Sequence, residues 1–104
     1  MILKNMMITD NFYKIYSEVA KIPKGKVAAY GDIAKRLGTS ARVVGNALHK
    51  NPDQMLIPCH RVLNRKGEVA GNFAFGGGKE QRRLLEDEGV IFQKNKVDLS
   101  SFGW

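Results

Sequence analysis

Cys59 is the only cysteine in the chain, and His60, one of two histidines, follows it in Ile57-Pro58-Cys59-His60-Arg61-Val62. A thiol attacks as its thiolate, and with an unperturbed pKa of about 8.5 it is mostly protonated at neutral pH. A nucleophilic cysteine therefore needs a base or a positive field beside it. His60 is a candidate for the first and Arg61 for the second. The competing reading is a small buried apolar residue with a histidine next to it by coincidence. Adjacency does not decide between them, because successive side chains of an extended segment point to opposite faces. One cysteine rules out an internal disulfide. With two histidines it also leaves too few ligands for a zinc site built from Cys and His alone, so no metal is expected.

The elements that must position this segment follow from periodicity and punctuation. The 104 residues, 43% of them apolar, are expected to form one domain, residues 1–104, around one core. The opening stretch, residues 1–8, is too short and interrupted for a signal peptide or a membrane span and reads as a lead-in. Thr9 or Asp10 can cap a helix that buries Phe12, Ile15, Tyr16, Val19 and Ala20 and stops at Ile22-Pro23-Lys24-Gly25-Lys26. A second helix, from about Tyr30 to Leu37, turns Ile33, Ala34 and Leu37 inward and ends at Gly38. Thr39-Ser40 caps a third, Ala41 to about Lys50, which buries Val43, Val44 and Ala47 or Leu48. Two short helices joined by a tight Gly-Thr-Ser turn have the form of a helix-turn-helix, although two ordinary packed helices share the pattern.

Seventeen Lys and Arg against ten Asp and Glu give a net charge of +7. The excess sits in residues 1–50, where nine basic residues face three acidic ones. A basic half suggests a polyanion partner, and a lysine-rich solvated surface is the alternative. The first part of the third helix, Ala41-Arg42-Val43-Val44-Gly45-Asn46-Ala47, offers one Arg and one Asn among small residues, which suits close approach to a minor groove better than direct major-groove readout.

After the cysteine, Val62-Leu63 and Glu68-Val69 flank Asn64-Arg65-Lys66-Gly67 as a hairpin with a basic tip, a candidate wing. Residues 70–78 form a glycine-rich loop with Phe73 and Phe75 and no phosphate-loop ending. A fourth helix from about Lys79 to Glu88 turns Leu84 and Leu85 inward and ends at Gly89, with Glu86, Asp87 and Glu88 at the end where the helix dipole disfavours acids. One of those three is expected to point inward. The tail, residues 90–104, reads as a closing hairpin or strap.

Taken in order, Ile22-Pro23-Lys24-Gly25-Lys26-Val27, Tyr30-Gly31-Asp32-Ile33-Ala34, Arg42-Val43-Val44-Gly45-Asn46-Ala47, Asn51-Pro52, Pro58-Cys59-His60-Arg61, Gly71-Asn72-Phe73 and Leu84-Leu85 followed by Glu88-Gly89 resemble the C-terminal, DNA-binding domain of the O6-alkylguanine-DNA alkyltransferases. The resemblance covers about Tyr13 to Gly89. It implies a mostly helical α/β, winged-helix-like domain with a helix-turn-helix and a small β-hairpin. It further implies a monomer that binds double-stranded DNA containing O6-alkylguanine through the minor groove, rotates the damaged base into a pocket, and needs no cofactor because the lesion is the alkyl donor. Cys59 would be the nucleophile, His60 the base acting through a water, Glu88 the carboxylate that orients the imidazole, and Asn51 the support of the turn leading to the cysteine. Tyr30 would press on the target phosphate and Arg42 would fill the vacated stack. Thr39, Ser40, Ala41, Gly45, Asn46 and Ala47 would meet DNA, and Tyr30, Pro58, Val62, Phe73 and Phe75 would line the pocket.

The short chain and its tail also resemble the alkyltransferase-like proteins, which flip alkylated guanine without repairing it and hand the lesion to excision-repair proteins. Those characteristically replace the nucleophile, usually with Trp, whereas this chain has Cys59. A winged-helix transcription regulator with a structural cysteine is the third reading. The single cysteine suits a reducing setting, so a cytoplasmic location, nucleoid-associated on DNA, or a nuclear one is expected.

Overall fold

The computed structural model describes residues 10–69 and 73–104, so the Thr9 cap, the lead-in and Gly71-Asn72 of the glycine-rich loop lie outside the described residues. Helix α1 (Asp10–Val19) buries Ile15, Tyr16 and Val19, while Ala20 lies past its end and is exposed. Helix α2 (Tyr30–Leu37) ends at Gly38, whose φ of 70° is the left-handed conformation that lets its N–H reach back to Ala34 O. Ser40 then caps α3 (Ala41–His49) by accepting the Val43 N–H at 3.2 Å. These two caps set the helix-turn-helix, and α2 and α3 pack on α1 through Ile33, Ala34, Val44, Ala47 and Leu48.

The wing hairpin does not form as expected. Strand β2 (Val62–Leu63) pairs in parallel with β1 (Ala28–Ala29), in the register Ala28 to Val62 and Ala29 to Leu63, and not with residues 68–69. What persists of the hairpin is its turn: Asn64 Oδ1 accepts the N–H groups of Lys66 and Glu68, and Gly67 N–H donates to Asn64 O. Gly67 is then stitched to the tail, because Val97 N–H donates to Gly67 O at 2.9 Å. Its φ of 83° is left-handed, and a Cβ there would fall on the Val97 carbonyl. Gly67→Ala is therefore expected to lower the unfolding free energy by about 2 kcal/mol, read as an earlier urea midpoint. An unchanged midpoint would show that this contact constrains nothing.

Helix α4 (Gly77–Asp87) starts two residues before the expected Lys79 and stops at Glu88 and Gly89, the latter with φ 94°. The acidic run at its end is neutralised locally: Arg82 pairs with Glu86, Arg83 with Asp87, and only Glu88 turns inward. The antiparallel hairpin β3 (Phe92–Gln93) and β4 (Lys96–Val97) and the short α5 (Leu99–Phe102) close the chain as the expected strap. Val27 N–H donates to Phe102 O and Trp104 N–H to Val27 O, while the Arg36 guanidinium lies 4.1 Å over the Trp104 ring. In place of the single expected core, buried apolar side chains form two clusters. The larger lies among α1, α2 and α3 and takes in Cys59, and the smaller joins Val27, Leu63, Leu85, Val90 and Val97 beneath α4 and the hairpin. The cysteine segment runs along the boundary between them.

Candidate active site

Residues Cys59–Arg61 form one turn of 3₁₀-helix, not an extended strand. At three residues per turn the consecutive side chains fan apart by about 120°, so Cys59 can face one way while His60 and Arg61 face another. The turn is held from both ends. Asn51, buried just past the end of α3, donates from Nδ2 to Ile57 O at 2.7 Å and accepts the Asp53 N–H at 2.9 Å, which ties down the chain entering the cysteine. On the other side, Gln81 of α4, with no solvent exposure, donates from Nε2 to His60 O at 3.1 Å and to Val62 O at 2.9 Å.

His60 and Glu88, 28 residues apart, meet at 3.0 Å between Nε2 and Oε2. Arg61 grips the same carboxylate with two bonds, Nε to Oε1 at 2.9 Å and Nη2 to Oε2 at 2.7 Å, and sends Nη1 to Ile22 O at 2.8 Å. Arg61 is thus committed to Glu88 and does not supply the free positive field beside the thiol that its position in the sequence suggested. Burial by itself would push the Glu88 carboxyl up, but the hydrogen bonds and charges of Arg61 and His60 outweigh it and hold the group below the usual carboxylate range. An ionised carboxylate only accepts hydrogen bonds, so Nε2 is the donor in this contact, and in a neutral imidazole Nδ1 is then the nitrogen with the lone pair. Nδ1 is buried, with no hydrogen-bond partner among the described residues.

Cys59 is 4% exposed. Burial pushes its thiol up, while the Asn51 amide and the backbone pull the other way less strongly, so the resting sulfur is a neutral thiol. It lies in the wall of a cavity of about 810 Å³ shared with Tyr30, Arg42, Asn46, Arg65 and Phe73. Tyr30 opens α2, and burial, then its closeness to Cys59, raises its phenol.

The other expected residues divide. Ala41 and Gly45 line the cavity, which leaves the α3 face flat beside Arg42. Thr39 and Ser40 sit in the turn before α3, Ser40 acting as its cap. Ala47 is buried, and its carbonyl takes the Tyr16 hydroxyl at 2.7 Å, so it supports α3 from below and cannot meet DNA as expected. Pro58 and Val62 are buried behind the cavity wall, and Phe75 backs Phe73 edge-on at 5.9 Å without lining the cavity itself. Arg65, Asn64, His49 and Lys50 line it although the sequence drew no attention to them as pocket residues. Gln81 was missed too, yet it stands seven residues before Glu88, two helical turns along the same face of α4.

The short turn thus carries both a thiol in the wall of a helix-turn-helix groove and a histidine whose ring a carboxylate orients. Residues 10–90 match the DNA-binding domain of 6-O-methylguanine DNA methyltransferase, and the chain belongs to that family. It is 53% identical over 76 residues to a methylated-DNA--protein-cysteine methyltransferase of Saccharolobus islandicus, a match covering 73% of this chain and 48% of that protein. The chain thus spans about half the length of the curated relatives it matches. Its fold is similar to that of S. pombe Atl1 in complex with damaged DNA containing O6-carboxymethylguanine, with a TM-score of 0.79, 37% identity, and coverage of 94% of this chain and 98% of that one. It is also similar to the O6-methylguanine-DNA methyltransferase of Pyrococcus kodakaraensis, with a TM-score of 0.71, 40% identity, and coverage of 80% and 48%.

Proposed function

We propose that this domain removes the alkyl group from O6 of guanine in duplex DNA by transferring it irreversibly to Cys59. The observation that carries this reading is the thiol in the cavity wall beside a histidine whose Nε2 is held by Glu88, leaving Nδ1 as the base. A guanine stacked in a duplex cannot reach that sulfur, so the lesion rotates out of the stack into the cavity. Tyr30, at the cavity edge, presses on the target phosphate, and the exposed Arg42 fills the gap left behind. The small Ala41 and Gly45 let α3 approach a minor groove closely, and the +7 charge supplies the phosphate attraction. The protein acts as a monomer.

The thiol proton passes through a water to His60 Nδ1, and Glu88 compensates the charge of the imidazolium. The sulfur forms a bond to the alkyl carbon as the carbon–O6 bond breaks. The bonding pair stays on guanine, which takes up one proton to regain its keto form. The thioether is stable, so each molecule acts once.

A second reading, a lesion sensor that recruits excision-repair proteins, is favoured by one observation: the similarity to Atl1 runs through almost the whole of both chains. The presence of Cys59 supports transfer. Titrating a duplex carrying one O6-methylguanine with increasing protein distinguishes the readings. Transfer predicts that lesions disappear in proportion to protein and stop at one per molecule. Tight binding with every lesion surviving would establish the sensor, and equal affinity for undamaged DNA would favour a regulator.

A further inference from the structure

Gln81 occupies a position that an apolar residue could fill at lower cost, because burying an amide is unfavourable unless its hydrogen bonds are made. In this molecule its Nε2 bonds go to His60 O and Val62 O, the carbonyls on either side of Arg61 in the nucleophile turn. Seven residues on, the same face of α4 presents Glu88 to the His60 ring. One helix therefore holds His60 twice, by its main chain through Gln81 and by its side chain through Glu88.

We infer that Gln81 is a positioning residue for the transfer: it fixes the backbone of His60 against α4, and with it the placement of the imidazole relative to the turn that carries Cys59. The geometry supports this over simple core filling. Two carbonyls of the turn are satisfied locally, Pro58 O by Arg61 N–H and Cys59 O by Val62 N–H, while those of His60 and Val62 are tied by Gln81 to the helix that leads to Glu88. Without that tie the imidazole would stay bound to Glu88, but the turn carrying Cys59 could shift against it. A displacement of about 1 Å between a base and its nucleophile is enough to cost on the order of a hundredfold in rate.

The inference rests on the transfer reading for its role, and the test separates the two. Gln81→Met keeps the length and loses both N–H donors. The expected result is a transfer rate constant about ten- to a hundredfold lower in single turnover, with affinity for the lesion duplex unchanged within about twofold. The pH profile of Cys59 alkylation by iodoacetamide is expected to move to higher pH, since the thiol has lost its aligned base. If the Met variant does not fold, Gln81→Glu read at alkaline pH, where the side chain is ionised and donates nothing, carries the same expectation. Transfer and a thiol profile equal to wild type would overturn the inference. So would slower transfer with weakened duplex binding and an unmoved thiol profile, because that pattern is general loosening of the fold. Should wild type itself transfer nothing, the transfer reading fails, and the thiol profile alone decides whether Gln81 aligns the pair.

Discussion

Cys59→Ala is expected to abolish transfer outright while leaving the lesion bound. The substitution removes one sulfur from a cavity whose walls are built by α2, α3 and Phe73, and the Asn51 amide that faces the thiol keeps its bonds to Ile57 O and Asp53 N–H. Cys59 is 4% exposed and part of the larger apolar cluster, so truncation leaves a small void worth about 1 kcal/mol, too little to unfold the domain. Duplex affinity should stay within about threefold of wild type, because in the proposed complex it would derive from phosphates and from the flipped base. Dealkylation should fall to the spontaneous background, since no other thiol is present to take the group. Residual dealkylation by the Ala variant would mean that another residue is the acceptor.

Glu88→Gln is expected to damage both stability and chemistry. The side chain is 13% exposed and accepts from His60 and twice from Arg61. An amide in its place leaves the guanidinium partly buried without its counter-charge, a loss of about 3 kcal/mol by comparison with broken buried ion pairs. For a chain of this size that is a fall of about 15 °C in Tm. The pH dependence has a definite sign. Because the folded carboxyl lies below its unfolded value of about 4.3, the unfolded state binds more protons through that range. The stability from this group is therefore present above the unfolded value and is lost as pH falls through the folded one. The acid limb of a stability curve should flatten in the Gln variant, and a limb as steep as that of wild type would show that Glu88 is not the group responsible. Transfer should slow by about a hundredfold at neutral pH, because the imidazole loses both its fixed tautomer and the charge that balances its protonated form.

The helix-turn-helix was legible in the chain because its signals are local. Gly38 and Ser40 stand four residues or fewer from the groups they cap, and the apolar period of each helix states which face is buried. The tail hairpin was legible for the same reason. The partner of Val62-Leu63 was not: Asn64 to Gly67 announce a turn correctly, but the strand that pairs with β2 lies 34 residues earlier, and no local pattern separates a parallel partner at that distance from an antiparallel one next door. Pro58-Cys59-His60-Arg61 pointed to the thiol and the base, yet the contact with Glu88 depends on how α4 docks on the 3₁₀ turn. That contact came from the family resemblance and not from spacing. Arg61 was misjudged because a cation beside a cysteine in sequence need not face it, and here the turn rotates it onto the carboxylate. Gln81 drew no attention in the sequence, although it stands in register with Glu88.

Intact-mass spectrometry of the protein after mixing with a duplex holding a single O6-methylguanine, followed by fragmentation, tests the central claim most directly. The account predicts one added methyl group, located on Cys59, with the guanine restored in the DNA. An unshifted protein mass in a sample where the lesion duplex is demonstrably bound and the O6-methylguanine persists would contradict it.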